Sequence, residues 1–233
     1  MTDLHGQLAL VTGASRGIGA ATARALAAAG AHVILTARTI GGLEEVEERI
    51  DAAGGVATIA PLDLTEGESI TRLAAAVADR WNKLDILVLN AATLGTLTPV
   101  PVIDGKEFNK VLTLNLLAQQ ALIAGFDPLL RNSGDAKVIA VTSSVGRNPR
   151  AFWGAYGASK AALEALVLSY AEEVQSFAIR TAIVDPGATA TTMRGRAFPG
   201  EDQTTLKSPD VVGEAIAELL GSDFDTGHRL IIS

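Results

Sequence analysis

Leu8-Ala9-Leu10-Val11-Thr12-Gly13-Ala14-Ser15-Arg16-Gly17-Ile18-Gly19 is the stretch that decides the fold. Its apolar start reads as a strand, its three glycines as a tight turn, and the Ala-rich run to residue 29 as a helix. Glycines let the backbone approach a pyrophosphate closely, and the helix N-terminus favours the negative charge of that group. The spacing is Gly-x-x-x-Gly-x-Gly rather than the generic Gly-x-Gly-x-x-Gly. The expectation therefore rests on the loop's place between first strand and first helix. Gly13, Ser15, Arg16, Gly17, Ile18 and Gly19 are the expected contacts of a dinucleotide.

The same alternation continues outward along the chain. Short apolar runs predict strands near 7–12, 31–36, 56–60, 84–89, 137–142, 179–184 and 228–232. Helices are predicted near 17–29, 42–53, 67–81, 107–131, 154–177 and 209–220. Strands apolar on both faces and separated by helices imply a parallel sheet covered on both sides. Right-handed crossovers then give an α/β fold with a doubly wound, mostly parallel seven-stranded sheet of the Rossmann type. No linker or repeat divides residues 1–233, so one domain is expected. Helix 154–177 is apolar nearly all round, more than burial on one sheet face requires, which predicts a further buried contact with another subunit.

Of the 233 residues, 48% are hydrophobic, enough for a large core. The chain has no cysteine, which excludes disulfides, thiolate metal sites and cysteine nucleophiles. Its histidines, His5, His32 and His228, are scattered, so no metal site is expected and zinc-dependent hydride chemistry is excluded. A net charge of −7 argues against nucleic acid as a partner. The Met-Thr-Asp-Leu-His start lacks the pattern of a signal peptide and no apolar run reaches membrane length, so a cytoplasmic protein without a membrane partner is expected.

Charges beside the loop bear on which dinucleotide binds. The second strand ends at Ala37-Arg38, where a site for NAD usually places a carboxylate on the ribose 2′-hydroxyl. Arg38 with Arg16 instead offers two forks to a 2′-phosphate, which favours NADP(H). Asp63-Leu64, after the third strand, stands where the adenine ring would lie, although Asp63 equally suits a helix cap.

Tyr156 and Lys160 are four residues apart at the start of helix 154–177 and share one face. A phenol with its ordinary pKa near 10 is a poor acid–base group at neutral pH, and a nearby ammonium is expected to lower it. Strand 137–142 ends in Thr142-Ser143-Ser144 at the carboxyl edge of the sheet, where a Ser143 hydroxyl suits a substrate oxygen gaining charge.

The glycine loop, Asp63, Asn90-Ala91, Asn115, Ser143, Tyr156, Lys160 and Pro186-Gly187 together resemble the short-chain dehydrogenase/reductase family in order and spacing. The resemblance covers the whole chain. It implies Tyr156 as general acid and base, Ser143 as binder of the substrate oxygen, and Lys160 as cation and ribose ligand. It implies Asn115 as holder of a water in a proton relay. It also implies that Pro186, Gly187, Thr189 and Thr191 hold the nicotinamide, with Asn90 and Ala91 lining the cofactor. The reaction implied is NADPH-dependent hydride transfer between a carbonyl and an alcohol, in a homodimer or homotetramer. Two features depart from the family pattern. Ala92 stands where relatives carry glycine, which predicts an altered turn, and the sequence ends just after the last strand, which predicts a site open on that side.

Substrate choice falls to the loops near 93–101, 145–154 and 187–206. Phe152 and Trp153 suit either a pocket wall or plain packing. Arg147, Arg150, Arg194 and Arg196 suit either an anionic substrate or ordinary ion pairs. The short last loop predicts a small or medium carbonyl substrate. A non-catalytic dinucleotide sensor is the alternative on the same fold. Keeping Ser143, Tyr156, Lys160 and Asn115 argues against it.

Overall fold

The computed structural model describes residues 2–233. All seven strands join one parallel sheet in the order β3-β2-β1-β4-β5-β6-β7. They are β1 (Leu8–Thr12), β2 (His32–Thr36), β3 (Val56–Ile59), β4 (Ile86–Leu89), β5 (Ala136–Val141), β6 (Ile179–Asp185) and β7 (His228–Ile231). Alternate residues serve opposite faces. Ala9 and Val11 face α1 (Gly17–Ala28), α2 (Ile40–Ala52) and α8 (Pro209–Leu220), while Leu8 and Leu10 join a core with α3 (Gly67–Trp81), α5 (Ala118–Arg131) and α6 (Gly154–Glu173). Two apolar layers thus sandwich the sheet, as strands without a polar face require. Among the described residues no helix is long and apolar enough to cross a membrane.

The predicted helix over 107–131 is in fact two. α4 (Gly105–Leu112) runs into a π-helical turn, Thr113–Leu117, before α5 begins. Such wide turns often mark functional positions, and this one carries the buried Asn115. Residues 192–197, read as loop from sequence, form a short helix α7 (Thr192–Ala197). α6 stops at Glu173, four residues before its predicted end.

Strand order reverses between β1 and β4, and a clamp centred on Thr12 fixes that point. The Thr12 hydroxyl donates to Val88 O at 3.0 Å and accepts from the N–H groups of Asn90 and Ala91 at 2.9 and 3.0 Å. Asn90 Nδ2 donates in return to Thr12 O at 2.8 Å and to Gly13 O at 3.4 Å. Thr12→Val keeps the shape but leaves these groups unpaired in a buried place, where each costs roughly 1–3 kcal/mol. Urea denaturation of that variant should show a loss of about 2–4 kcal/mol with an unchanged m-value.

Candidate active site

The carboxyl ends of β1, β4, β5 and β6 bring the glycine loop, Asn90, Ser143 and the 185–191 segment to one edge of the sheet. Gly13 and Gly17 adopt positive φ of 66° and 58°, a turn that L side chains rarely make. A Cβ on Gly19 would fall 2.3 Å from Gly13 O and 2.5 Å from Asn90 Nδ2, so the loop closes only with glycine there. Arg16, in extended backbone, precedes α1, whose N-terminus has neither a capping side chain nor an acidic residue in its first turn. The positive helix end is thus left to an external anion, and Thr191 lies across from it, 3.6 Å from an ideal Gly17 Cβ. These features fit a pyrophosphate.

Arg38 is exposed, with its Nη1 3.8 Å from Asp63 Oδ2. Asp63 Oδ1 accepts from Thr65 N and Thr65 Oγ1, bonds that hold its carboxyl below the ordinary range with help from Arg38. Asp63 therefore caps the turn ahead of α3 and not the helix itself, whose N-cap is Glu66. Leu64 points into the core, which leaves only its backbone for a ligand. Asn90 commits its amide nitrogen to the Thr12 clamp.

Tyr156 and Lys160 lie on the buried face of α6 at 7% and 2% exposure. Lys160 Nζ donates to Val141 O at 2.8 Å and sits 5.8 Å from the centre of the Tyr156 ring. The ammonium is therefore anchored to the end of β5, two residues before Ser143, which lies in extended backbone ahead of a short 3-10 turn. Among the described residues the hydroxyls of Ser143 and Tyr156 make no hydrogen bond within the protein. Asn115 locks the corner together. Its Oδ1 accepts from Thr93 N at 2.8 Å, and its Nδ2 donates to Thr93 O and to Ser159 Oγ at 2.9 and 3.0 Å. Ser159 Oγ then donates to Tyr156 O at 2.7 Å.

The expected lowering of the phenol pKa by Lys160 is not met in the chain alone. Burial pushes Tyr156 well above 10, and the negative charge of Asp185 adds to that. Burial also draws Lys160 down to about 8, against the pull of Glu164. Desolvation is the larger influence on each of the two groups.

In the segment after β6, Gly187 has φ of 63° and packs so closely on Ile232, just past β7, that a Cβ would meet Ile232 O at 2.5 Å. Thr189 Oγ1 donates to Pro186 O, and Thr191 caps α7 by accepting from Arg194 N at 3.1 Å. The caps hold this segment in place from both ends.

The missed helix α7 completes a wall. Trp153 meets Tyr156 edge to face at 5.9 Å, and Phe198 lies 5.6 Å beyond it. Leu94, Leu97, Val145 and Met193 pack around the same ring. Trp153 thus serves the wall, whereas Phe152 is 56% exposed. Of the four arginines, Arg147 pairs with Asp185 at 2.7 Å and Arg194 forks onto Glu201 while covering Phe198. Arg150 and Arg196 are exposed.

A family model described as short chain dehydrogenase matches residues 7–202. The chain belongs to the short-chain dehydrogenase family. It is 36% identical over 223 residues to the uncharacterized oxidoreductase YciK of Escherichia coli K12, covering 94% of this chain and 88% of that one. A short chain dehydrogenase from Salmonella enterica serovar Typhi superposes with a TM-score of 0.94 at 35% identity, over 98% of this chain and 96% of the other. A metagenomic short-chain oxidoreductase in complex with NADP gives a TM-score of 0.84 at 34% identity, over 98% and 97% of the two chains.

This short-chain dehydrogenase accommodates its departure at Ala92 without strain. The only non-glycine residues with positive φ among those described are Asn82 and Phe152, so alanine at 92 needs no left-handed turn. The sequence contained one signal for α7 that went unused, the capping hydroxyl of Thr191.

Proposed function

We propose that this oxidoreductase interconverts a carbonyl and an alcohol on a small or medium substrate with NADP(H), using Asn115, Ser143, Tyr156 and Lys160. The observation that carries the reading is the buried pair of Tyr156 and Lys160, anchored to the strand end that presents Ser143. NADPH, when bound, supplies the hydride. In reduction the substrate oxygen must gain a proton, and the Tyr156 hydroxyl donates it. The Ser143 hydroxyl donates a hydrogen bond to the same oxygen while charge builds there. The Lys160 ammonium steadies the phenolate that results and holds the ribose of the cofactor. Asn115 keeps α6 and the Thr93 loop in register, so that these groups converge.

Arg16 and Arg38 flank the place where the adenine ribose would lie, and no carboxylate takes the second strand's end. The NADP in the metagenomic relative supports the same choice. The aromatic wall favours a neutral, apolar carbonyl compound over an anionic one, since Arg147 and Arg194 already spend their charges on Asp185 and Glu201. The enzyme is further proposed to act in the cytoplasm as a homodimer or homotetramer. α6 supports this by leaving Ala158, Ala161, Ala165 and Leu168 on its outer side.

Three measurements test the reading. Tyr156→Phe should lose about 10²–10⁴ in turnover across a panel of neutral ketones and aldehydes while its NADPH affinity stays near wild type. Wild-type turnover in that variant would refute the catalytic assignment. Arg38→Ala should weaken NADPH about tenfold or more and NADH far less, because one charge-assisted fork is lost. Equal affinity of the wild type for the two cofactors would refute the 2′-phosphate site. Light scattering at micromolar concentration should give the mass of two or four chains, and a monomer would refute the assembly.

A further inference from the structure

Beneath Lys160 lies a cluster of four charges that the proposed reaction does not use. Glu164, one helical turn beyond Lys160, is only 5% exposed. Its Oε2 accepts from Arg229 of β7 at 2.8 Å, while Oε1 lies 3.7 Å from Arg147 Nε and accepts no hydrogen bond. Arg147, in the turn that follows Ser143, also pairs with Asp185 at the end of β6 at 2.7 Å. Two arginines thus offset two carboxylates, and the set ties together α6, β6, β7 and the turn after β5.

The two carboxylates are buried while the arginine side chains stay partly exposed, at 31% and 29%, and taking ions out of water is costly, so the cluster is weak evidence for stability by itself. The position of this one is more telling. Lys160 is a fifth charge, fully desolvated, and its sole protein hydrogen bond among the described residues is to the neutral Val141 carbonyl. A buried ammonium without a nearby anion tends to shed its proton. The charged groups to weigh are Glu164 on its own helix, Asp185 on β6 and Arg147 after β5, Arg229 on β7 tied to Glu164, the Tyr156 phenol beside it, and on α4, which packs on α6, the exposed Lys106 and Lys110 and the half-buried Glu107. Of these, Glu164 is the one whose charge acts on Lys160 to keep its proton.

We propose that Glu164 is a positioning residue that keeps the Lys160 ammonium charged in its buried seat, with Arg229 and Arg147 setting how strongly it does so. This rests on the reading of Lys160 as the working cation of the site. Glu164 touches neither substrate nor cofactor in this scheme. It acts through Lys160 alone.

The consequence is a pH dependence. Burial draws the Lys160 pKa down to about 8, so the amine is largely charged below that pH and largely neutral above it. The reduction rate of the wild type should therefore hold steady at lower pH and fall as pH rises through about 8. Removing the negative charge at 164 lowers the Lys160 pKa further and moves that fall toward acid.

The test is a rate-against-pH profile at saturating NADPH, on a carbonyl compound that the wild type reduces. Glu164→Gln should move the falling limb down by about one pH unit, a loss of roughly fivefold near pH 8 with little change near pH 6. Glu164→Asp, which keeps the charge, should restore the wild-type limb. Arg229→Gln removes the cation that offsets Glu164 and should move the limb upward, so it decides the matter even where Glu164→Gln fails to fold. A merely structural cluster would lower stability in all three variants and leave the limb in place. That outcome overturns the proposal. Tyr156→Phe is measured alongside. If it is inactive and the limb does not move, only the role of Glu164 is lost. If it stays active, the reading of the site fails first.

Discussion

The Thr12 clamp holds the ends of β1 and β4 together where the glycine loop begins. A doubly wound sheet opens a crevice where its strand order reverses, and here that place lies between β1 and β4. Left to itself, the crevice is a pair of strand ends with unpaired backbone groups. One threonine hydroxyl and one asparagine amide satisfy those groups and fix the two ends against each other. The glycine loop springs from this point, and Gly19 packs so tightly on Gly13 and Asn90 that loop and clamp form a single unit. The uncapped start of α1 is thereby aimed across the crevice at the 186–191 segment.

On the far side of the crevice the same logic applies to charge. Burial drives Tyr156 toward the neutral phenol and Lys160 toward the neutral amine. Both shifts oppose an ionised pair, so the surroundings must supply what the pair lacks. Asn115 and Ser159 supply rigidity, by bonding to each other and to the Tyr156 carbonyl. The ion cluster around Glu164 supplies a field. An active site of this kind is a balance of desolvation against placed charges, not a property of two residues in a motif.

Much of this was legible in the sequence, for physical reasons. Strands with both faces buried must be apolar throughout, and glycines that permit close backbone approach cannot be replaced, so sheet and loop both left clear traces. The alternation pointed to a doubly wound sheet, and the order of its seven strands came from the structure. The π-helical turn at Asn115 was hidden because 107–131 keeps a helical apolar period straight through it. α7 was hidden because Thr192-Met193-Arg194-Gly195-Arg196-Ala197 has no apolar stripe and one glycine. Asn90 was read as a cofactor contact, and only the coordinates show its amide nitrogen bonded to Thr12 and Gly13. Glu164 did leave a trace. It is the one acid among the apolar residues 161–168, a turn beyond Lys160.

In the proposed reaction a hydride and a proton meet a carbonyl group in the corner built by Ser143, Tyr156 and Lys160. The most direct test is a reaction run with NADPH carrying deuterium at the transferable C4 position, with the product alcohol analysed by mass spectrometry. One deuterium on the former carbonyl carbon is expected for each cofactor oxidised. Tight cofactor binding with no label in any alcohol across a broad carbonyl panel would contradict it and leave a dinucleotide sensor in its place.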